Sequence, residues 1–259
     1  MRIGIFDSGV GGLIVARAIH KLMPQYDYVY LGDTKRVPYG NRSKEVVYEF
    51  TKAGVEYLFK KENCALVIVA CNTASAMALR RLQKNLKNRK ILGVLIPAAE
   101  EAGKYSRIGV LATVGTVASK SFPQEINKID RHVKVFQNAT PMLVPLAEAG
   151  EHKSAEPFIK EYLAPLLKQK INALVLGCTH YPFFKMEIKK ALPKNVKIIS
   201  QDEIVPRKLK NYLTRHPEIQ NKLSKNRMVK ILVTDKTKTT DTLTHKWFGR
   251  GVKPKLVTI

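Results

Sequence analysis

Residues 66–75 read Leu66-Val67-Ile68-Val69-Ala70-Cys71-Asn72-Thr73-Ala74-Ser75. A short apolar run rich in β-branched residues ends in a cysteine, and small polar residues follow at once. Such a run reads as a strand buried on both faces. The next stretch, Ala76 to Leu82, reads as a helix. Cys71 is therefore expected at the carboxyl end of a strand, beside a helix N-terminus. Open α/β sheets bind ligands at that edge, and the N–H groups of a helix start stabilise a thiolate.

The pattern occurs twice. Ala173-Leu174-Val175-Leu176-Gly177-Cys178-Thr179-His180 is again an apolar run, a cysteine and small polar residues, with Cys178 lying 107 residues after Cys71. A second echo has nearly the same offset: Arg2-Ile3-Gly4-Ile5-Phe6 resembles Arg107-Ile108-Gly109-Val110-Leu111, 105 residues on. Two matched pairs at one spacing predict two similar α/β halves, each with a cysteine at a strand end. If the halves face each other, two thiols point into one cleft. The alternative is that both cysteines simply pack, as buried free cysteines often do. The polar residues after each cysteine favour the functional reading.

Strand and helix patterns alternate along the whole chain, which predicts an α/β fold with mostly parallel sheets. Strands are expected at 2–6, 28–33, 66–70, 91–96, 108–112, 133–137, 173–177, 196–200, 229–233 and 255–259. Helices are expected after the glycine-rich turn Gly9-Val10-Gly11-Gly12, from Ser43 (as N-cap) to about Glu62, and at 98–104, 155–170, 204–212 and 241–248. A further helix is expected after the Cys178 strand, ending near Leu192. Pro97 reads as the switch between halves, and 214–228 as polar and irregular.

The 259 residues are 45% hydrophobic, enough for a substantial core. Three cysteines, Cys64, Cys71 and Cys178, are too few for a disulfide framework, and no C-x-x-C pair is present. A reducing, cytoplasmic setting fits. Met1-Arg2 runs directly into a strand, unlike a signal peptide. No apolar run approaches the roughly 18 residues of a membrane span. The formal charge is +24, and residues 185–259 alone hold 19 Lys/Arg against 6 Asp/Glu. A surface that basic attracts nucleic acid or acidic partners, yet its cations are dispersed and no nucleic-acid motif appears.

Gly9-x-Gly11 after a strand, with Asp33 about 20 residues on, suggests a dinucleotide site. Ile14 occupies the third glycine position, and Asp7 and Ser8 put a carboxylate and a hydroxyl where a pyrophosphate wants neither. No second His or Cys stands at metal-ligand spacing from His180, so no metal is expected. Two opposed thiols suit a reaction in which one removes a proton from carbon and the other returns one to the opposite face. A thiol's ordinary pKa of about 8.5 makes either state accessible, and no cofactor is needed. A disulfide exchanger would normally place its thiols closer in sequence. A cysteine hydrolase would leave the second cysteine unexplained.

Phe6-Asp7-Ser8-Gly9-Val10-Gly11-Gly12-Leu13, Leu31-Gly32-Asp33-Thr34, Val37-Pro38-Tyr39-Gly40, Ala70-Cys71-Asn72-Thr73-Ala74 and Leu176-Gly177-Cys178-Thr179-His180-Tyr181-Pro182 together resemble the glutamate racemases of the cofactor-independent aspartate/glutamate racemase superfamily. The resemblance implies two α/β domains about a pseudo-twofold axis, with the active site between them. The first would comprise 1–95 with 209–259, and the second 96–208. It also implies that Cys71 is the base toward D-glutamate and Cys178 the base toward L-glutamate. Asp7, His180 and Glu148 match the residues that assist the thiols. Asp7, Ser8, Pro38, Tyr39, Gly40, Asn72, Thr73, Thr113, Thr116, Thr179 and His180 match substrate-binding positions. Asp7 could hold the ammonium or relay protons, Tyr39 could simply pack, and Thr113 and Thr116 could equally be turn and cap residues.

The implied role is to supply D-glutamate for peptidoglycan, as a homodimer in the cytoplasm. Alternatives are an aspartate or broader amino-acid racemase, or a basic protein that binds nucleic acid or gyrase, as some family members do, with secondary catalysis. Three features depart from the family. Thr140 stands where a cysteine is common and is expected to stay out of the chemistry. Ser200-Gln201 replaces a more usual acid. No N-terminal extension is seen of the kind that accompanies activation by a cell-wall precursor, so no such activation is expected.

Overall fold

The computed structural model describes residues 1–259 as ten strands in two sheets, flanked by helices. The strands are β1 (Arg2–Asp7), β2 (Tyr28–Gly32), β3 (Cys64–Val69), β4 (Lys90–Gly93), β5 (Arg107–Ala112), β6 (Lys134–Ala139), β7 (Ala173–Gly177), β8 (Lys197–Ile199), β9 (Val229–Val233) and β10 (Lys255–Leu256). The first sheet has the order β10-β9-β2-β1-β3-β4 and the second β6-β5-β7-β8. Every neighbouring pair is parallel. The β2-β1-β3-β4 arrangement and the second sheet are thus the same, with β1 equivalent to β5 and β3 to β7. Those pairs are the two sequence echoes.

Parallel sheets need cover on both faces, and the apolar runs supply it. On one face of the first sheet, Ile3, Ile5 and Leu66 pack with Leu13 and Ile19 of helix Gly12–Leu22, Leu209 of helix Gln201–Arg215 and Trp247 of helix Lys238–Trp247. On the other, Phe6, Val67 and Val69 meet Val47, Val55 and Leu58 of helix Lys44–Lys60. The second sheet is covered by helix His152–Lys168 on one face and by helices Leu95–Ala102 and Ser121–Ile129 on the other. Each Leu, Ile or Phe buried this way contributes about 1.5–3 kcal/mol. The central strands β1, β2, β3 and β7 are almost wholly buried, which is why they read as continuous apolar runs.

Several expectations are corrected. The strand expected at 91–96 stops at Gly93, and Pro97 lies in the first turn of helix Leu95–Ala102, whose Leu95, Ala98 and Ala99 already pack in the core of the second sheet. A first-turn proline loses no hydrogen bond, because the N–H there has no helical partner. The helix after Cys71 starts at once, at Asn72, and is interrupted at Ala78. Helix Gln201–Arg215 is longer than expected at both ends, and 214–228 includes the short helix Pro217–Gln220. Helices Val114–Ala118, Ser121–Ile129 and Leu143–Ala149 had no sequence signal strong enough to mark them. Helices of five to nine residues span too few turns to show a long apolar periodicity. Ser43 is the N-cap expected of it, accepting the Val46 N–H at 3.4 Å.

Candidate active site

Cys71 follows β3 and is the N-cap of helix Asn72–Met77. Its Sγ accepts the Ala74 N–H at 3.5 Å and the Ser8 hydroxyl at 3.3 Å. Both bonds favour a thiolate, as the sequence led one to expect. Burial wins nevertheless: desolvation, reinforced by the negative charge of Asp7, pushes the Cys71 thiol up to about 12. The resting group is held as a thiol despite the stabilising N–H of the helix start.

Cys178 follows β7, the equivalent strand, and has a different partner. Its Sγ lies 3.7 Å from Nδ1 of His180, whose Nε2 is 3.0 Å from a carboxylate oxygen of Glu148. Burial alone would lower the His180 pKa. The hydrogen bonds and charges of Cys178 and Glu148 outweigh it and raise the imidazole to about 10. The ring is thus disposed to hold a proton between a sulfur and a carboxylate. Trp247 packs edge-on against its ring, with centroids 5.4 Å apart.

The glycine-rich turn serves close packing rather than phosphate binding. A Cβ on Gly11 would fall 2.5 Å from the His180 ring, and one on Gly12 would fall 2.7 Å from Cβ of Asp7. Asp7 is fully buried at the end of β1. One carboxylate oxygen accepts the Gly9 N–H at 3.0 Å, and the other accepts the Thr179 hydroxyl at 3.5 Å. Burial raises the Asp7 pKa, while His180 and the hydrogen bonds pull it down.

Both cysteines line one cavity of about 310 Å³ between the two sheets' carboxyl edges. Ser8, Pro38, Tyr39, Gly40, Asn72, Thr73, Thr113, Glu148, Thr179 and His180 line it too. Asp7 and Thr116, also expected at the substrate, stand behind this wall. Thr116 joins Thr73 and Thr113 in a three-hydroxyl cluster, with Thr73–Thr113 at 2.8 Å, Thr113–Thr116 at 2.9 Å and Thr73–Thr116 at 3.3 Å. Thr113 is at the same time the N-cap of helix Val114–Ala118, so both readings of it hold together. Tyr39 is buried and donates its hydroxyl to Asp33, which also receives the Thr234 hydroxyl at 2.8 Å and pairs with Arg36 at 2.6 Å. Asp33 therefore anchors the Pro38-Tyr39-Gly40 loop and is no ribose ligand.

Thr140, expected to stay out of the chemistry, is in the cavity wall, with Pro141 beside it. It follows β6, whose end points at the same edge as the Cys178 strand, and its hydroxyl meets that of Tyr181. Gly9, Val37, Asn41, Val114, Val144 and Pro145 complete the lining. Of these only Gly9 and Val37 lie in motifs the sequence singled out; Val114, Val144 and Pro145 belong to short helices whose apolar residues look like any others. No group of three or more His, Cys, Asp or Glu side chains converges as metal ligands would, and no helix is long and apolar enough to cross a membrane.

A sequence model of the Asp/Glu/hydantoin racemase family matches residues 13–204. The glutamate racemase of Sulfurihydrogenibium sp. is 38% identical over 254 residues, covering 96% of this chain and 94% of its own. Two solved structures superpose with TM-scores of 0.92. One is glutamate racemase from Francisella tularensis in complex with D-glutamate, 30% identical and covering 99% of this chain and 97% of its own. The other is a glutamate racemase isoform from Bacillus anthracis, 35% identical and covering 100% and 97%.

Proposed function

The chain belongs to the Asp/Glu/hydantoin racemase family and racemises glutamate, and on that premise we propose that Cys71 and Cys178 are its two acid–base groups. The observation that carries this assignment is that two thiols at equivalent strand ends line one cavity but have unlike partners.

With L-glutamate, the Cys178 sulfur takes the Cα proton and the electron pair passes into the α-carboxylate as an enediolate. The Cys71 thiol delivers its proton to the opposite face, and D-glutamate leaves. The reverse direction exchanges the roles. After each turnover one sulfur has gained a proton and the other has lost one. His180 with Glu148 on one side, and Asp7 with Ser8 on the other, are placed to restore the starting state.

The enediolate is the costly species. It needs donors aimed at the carboxylate in a site shielded from water. The Thr73, Thr113 and Thr179 hydroxyls and the N–H groups at the starts of the two helices after Cys71 and Thr113 can supply them.

We also assign residues 1–95 with 209–259 to one domain and 96–208 to the other; sheet membership supports this grouping of the strands, and helix Gln201–Arg215 spans the second boundary. The proposed setting is a cytoplasmic homodimer supplying peptidoglycan precursors. Family resemblance supports the dimer, and light scattering of the purified protein tests it.

Incubation with L-glutamate in D2O without cofactor tests the chemistry. The wild-type protein should exchange the Cα proton and lose optical rotation. Cys71→Ala and Cys178→Ala should each lose racemisation by roughly 10²–10⁴-fold or more. Full racemisation in either variant would end the two-thiol assignment. Activity with aspartate alone would keep the scaffold and change the substrate.

A further inference from the structure

One polar contact joins the two halves directly behind Cys71. Gln201 is the first residue of helix Gln201–Arg215, just after β8 of the second sheet. Asn72 is the residue after Cys71, in the first half. Gln201 is fully buried and Asn72 nearly so. Gln201 donates Nε2–H to Oδ1 of Asn72 at 2.9 Å, across 129 residues of chain. The remaining amide atoms, Nδ2 of Asn72 and Oε1 of Gln201, are buried with no partner in the protein.

Unpartnered buried amide groups are costly and call for an explanation. Turning both amides over would still make one bond and leave two atoms unmet, so the protein by itself does not prefer either arrangement. A ligand does. Asn72 lines the cavity, and a carboxylate can only accept hydrogen bonds. With Gln201 donating to the oxygen of Asn72, the NH2 of Asn72 is the end left for the ligand.

Resting on the glutamate reading above, we propose that Gln201 is a positioning residue: when substrate binds, its amide can donate to the Asn72 oxygen, which lets Asn72 settle with its NH2 on a substrate carboxylate. It acts through Asn72 and touches no reacting atom. Because its backbone belongs to the second half, it also ties the register of the Cys71 turn to the position of β8. A carboxylate at position 201 would do the opposite: it could only accept, would capture the Asn72 NH2 and would turn the Asn72 oxygen toward the substrate.

The test is steady-state racemisation by Gln201→Met, Gln201→Glu, Asn72→Ala and the Gln201→Met/Asn72→Ala double variant, with thermal melts of each. Gln201→Met should raise KM for glutamate roughly tenfold, the scale of one hydrogen bond to a charged group, with a smaller change in kcat. Gln201→Glu should raise KM further. In the Asn72→Ala background, Gln201→Met should change KM no more, because the partner it acts through is gone. An unchanged KM in Gln201→Met would overturn the proposal. So would independent, multiplying effects of the two substitutions. Failure of both position-201 variants to fold would make Gln201 a structural residue and overturn it equally. Inactive wild-type protein would instead strike at the glutamate reading itself.

Discussion

At the scale of single residues, the two thiols differ because their neighbours differ. Cys71 is desolvated beside an anion and its pKa rises to about 12, while Cys178 faces an imidazole whose pKa stands at about 10. His180 links this chemistry to stability. Its folded pKa is raised above the unfolded value of about 6.5, so protonation favours the folded state. The stabilisation it gives is full below about pH 6.5 and is lost as pH rises through about 10. Urea unfolding of His180→Gln and wild type should therefore show a gap that is widest at pH 6 and closes toward pH 10.5. A pH-independent gap would mean that the ring contributes by packing against Trp247 rather than by charge. None of this can be read along the chain. The Cys178–His180 pair was visible as Cys-Thr-His, but the bond from His180 to Glu148 spans 32 residues and depends on where helix Leu143–Ala149 lands.

Among the elements, legibility followed burial. Strands β1, β3 and β7 were found because both faces are covered, so every position must be apolar. β6 carries exposed or half-buried residues and is the sheet's edge, and its expected span was shifted accordingly. Helix starts with a hydroxyl cap were also legible. Ser43→Ala should cost about 1 kcal/mol in urea unfolding and leave racemisation unchanged, since Ser43 is exposed and outside the cavity wall. Thr113→Ala is the contrasting case. It removes a cap and a cavity hydroxyl together, so stability and glutamate binding should fall in the same variant. A normal KM in Thr113→Ala would assign that residue to the fold alone.

In the whole molecule, the site belongs to neither sheet. Cys71 comes from the first and Cys178 from the second, and the Thr73–Thr113 and Asn72–Gln201 bonds cross between them. A ligand held by both halves binds the folded protein and not the unfolded chain. Glutamate at about a hundred times its Kd should stabilise folding by about 2.7 kcal/mol, read as a rise in Tm that disappears when the free ligand is removed. A Tm indifferent to glutamate would mean that the cavity does not bind it in the folded protein. Despite a charge of +24, no Lys or Arg lines the cavity.

From the sequence alone came the two-fold repeat, the parallel α/β architecture and both cysteines at strand ends. Each rests on local chemistry: apolar periodicity records burial, and turn or cap residues record where an element starts. Only the tertiary structure decided that Cys71 rests as a thiol, that Asp7 and Thr116 stand behind the cavity wall, that Thr140 is part of it, and that Gln201 reaches Asn72. Desolvation and long-range hydrogen bonds are properties of what surrounds a group in space, and residues distant in the chain supply those surroundings.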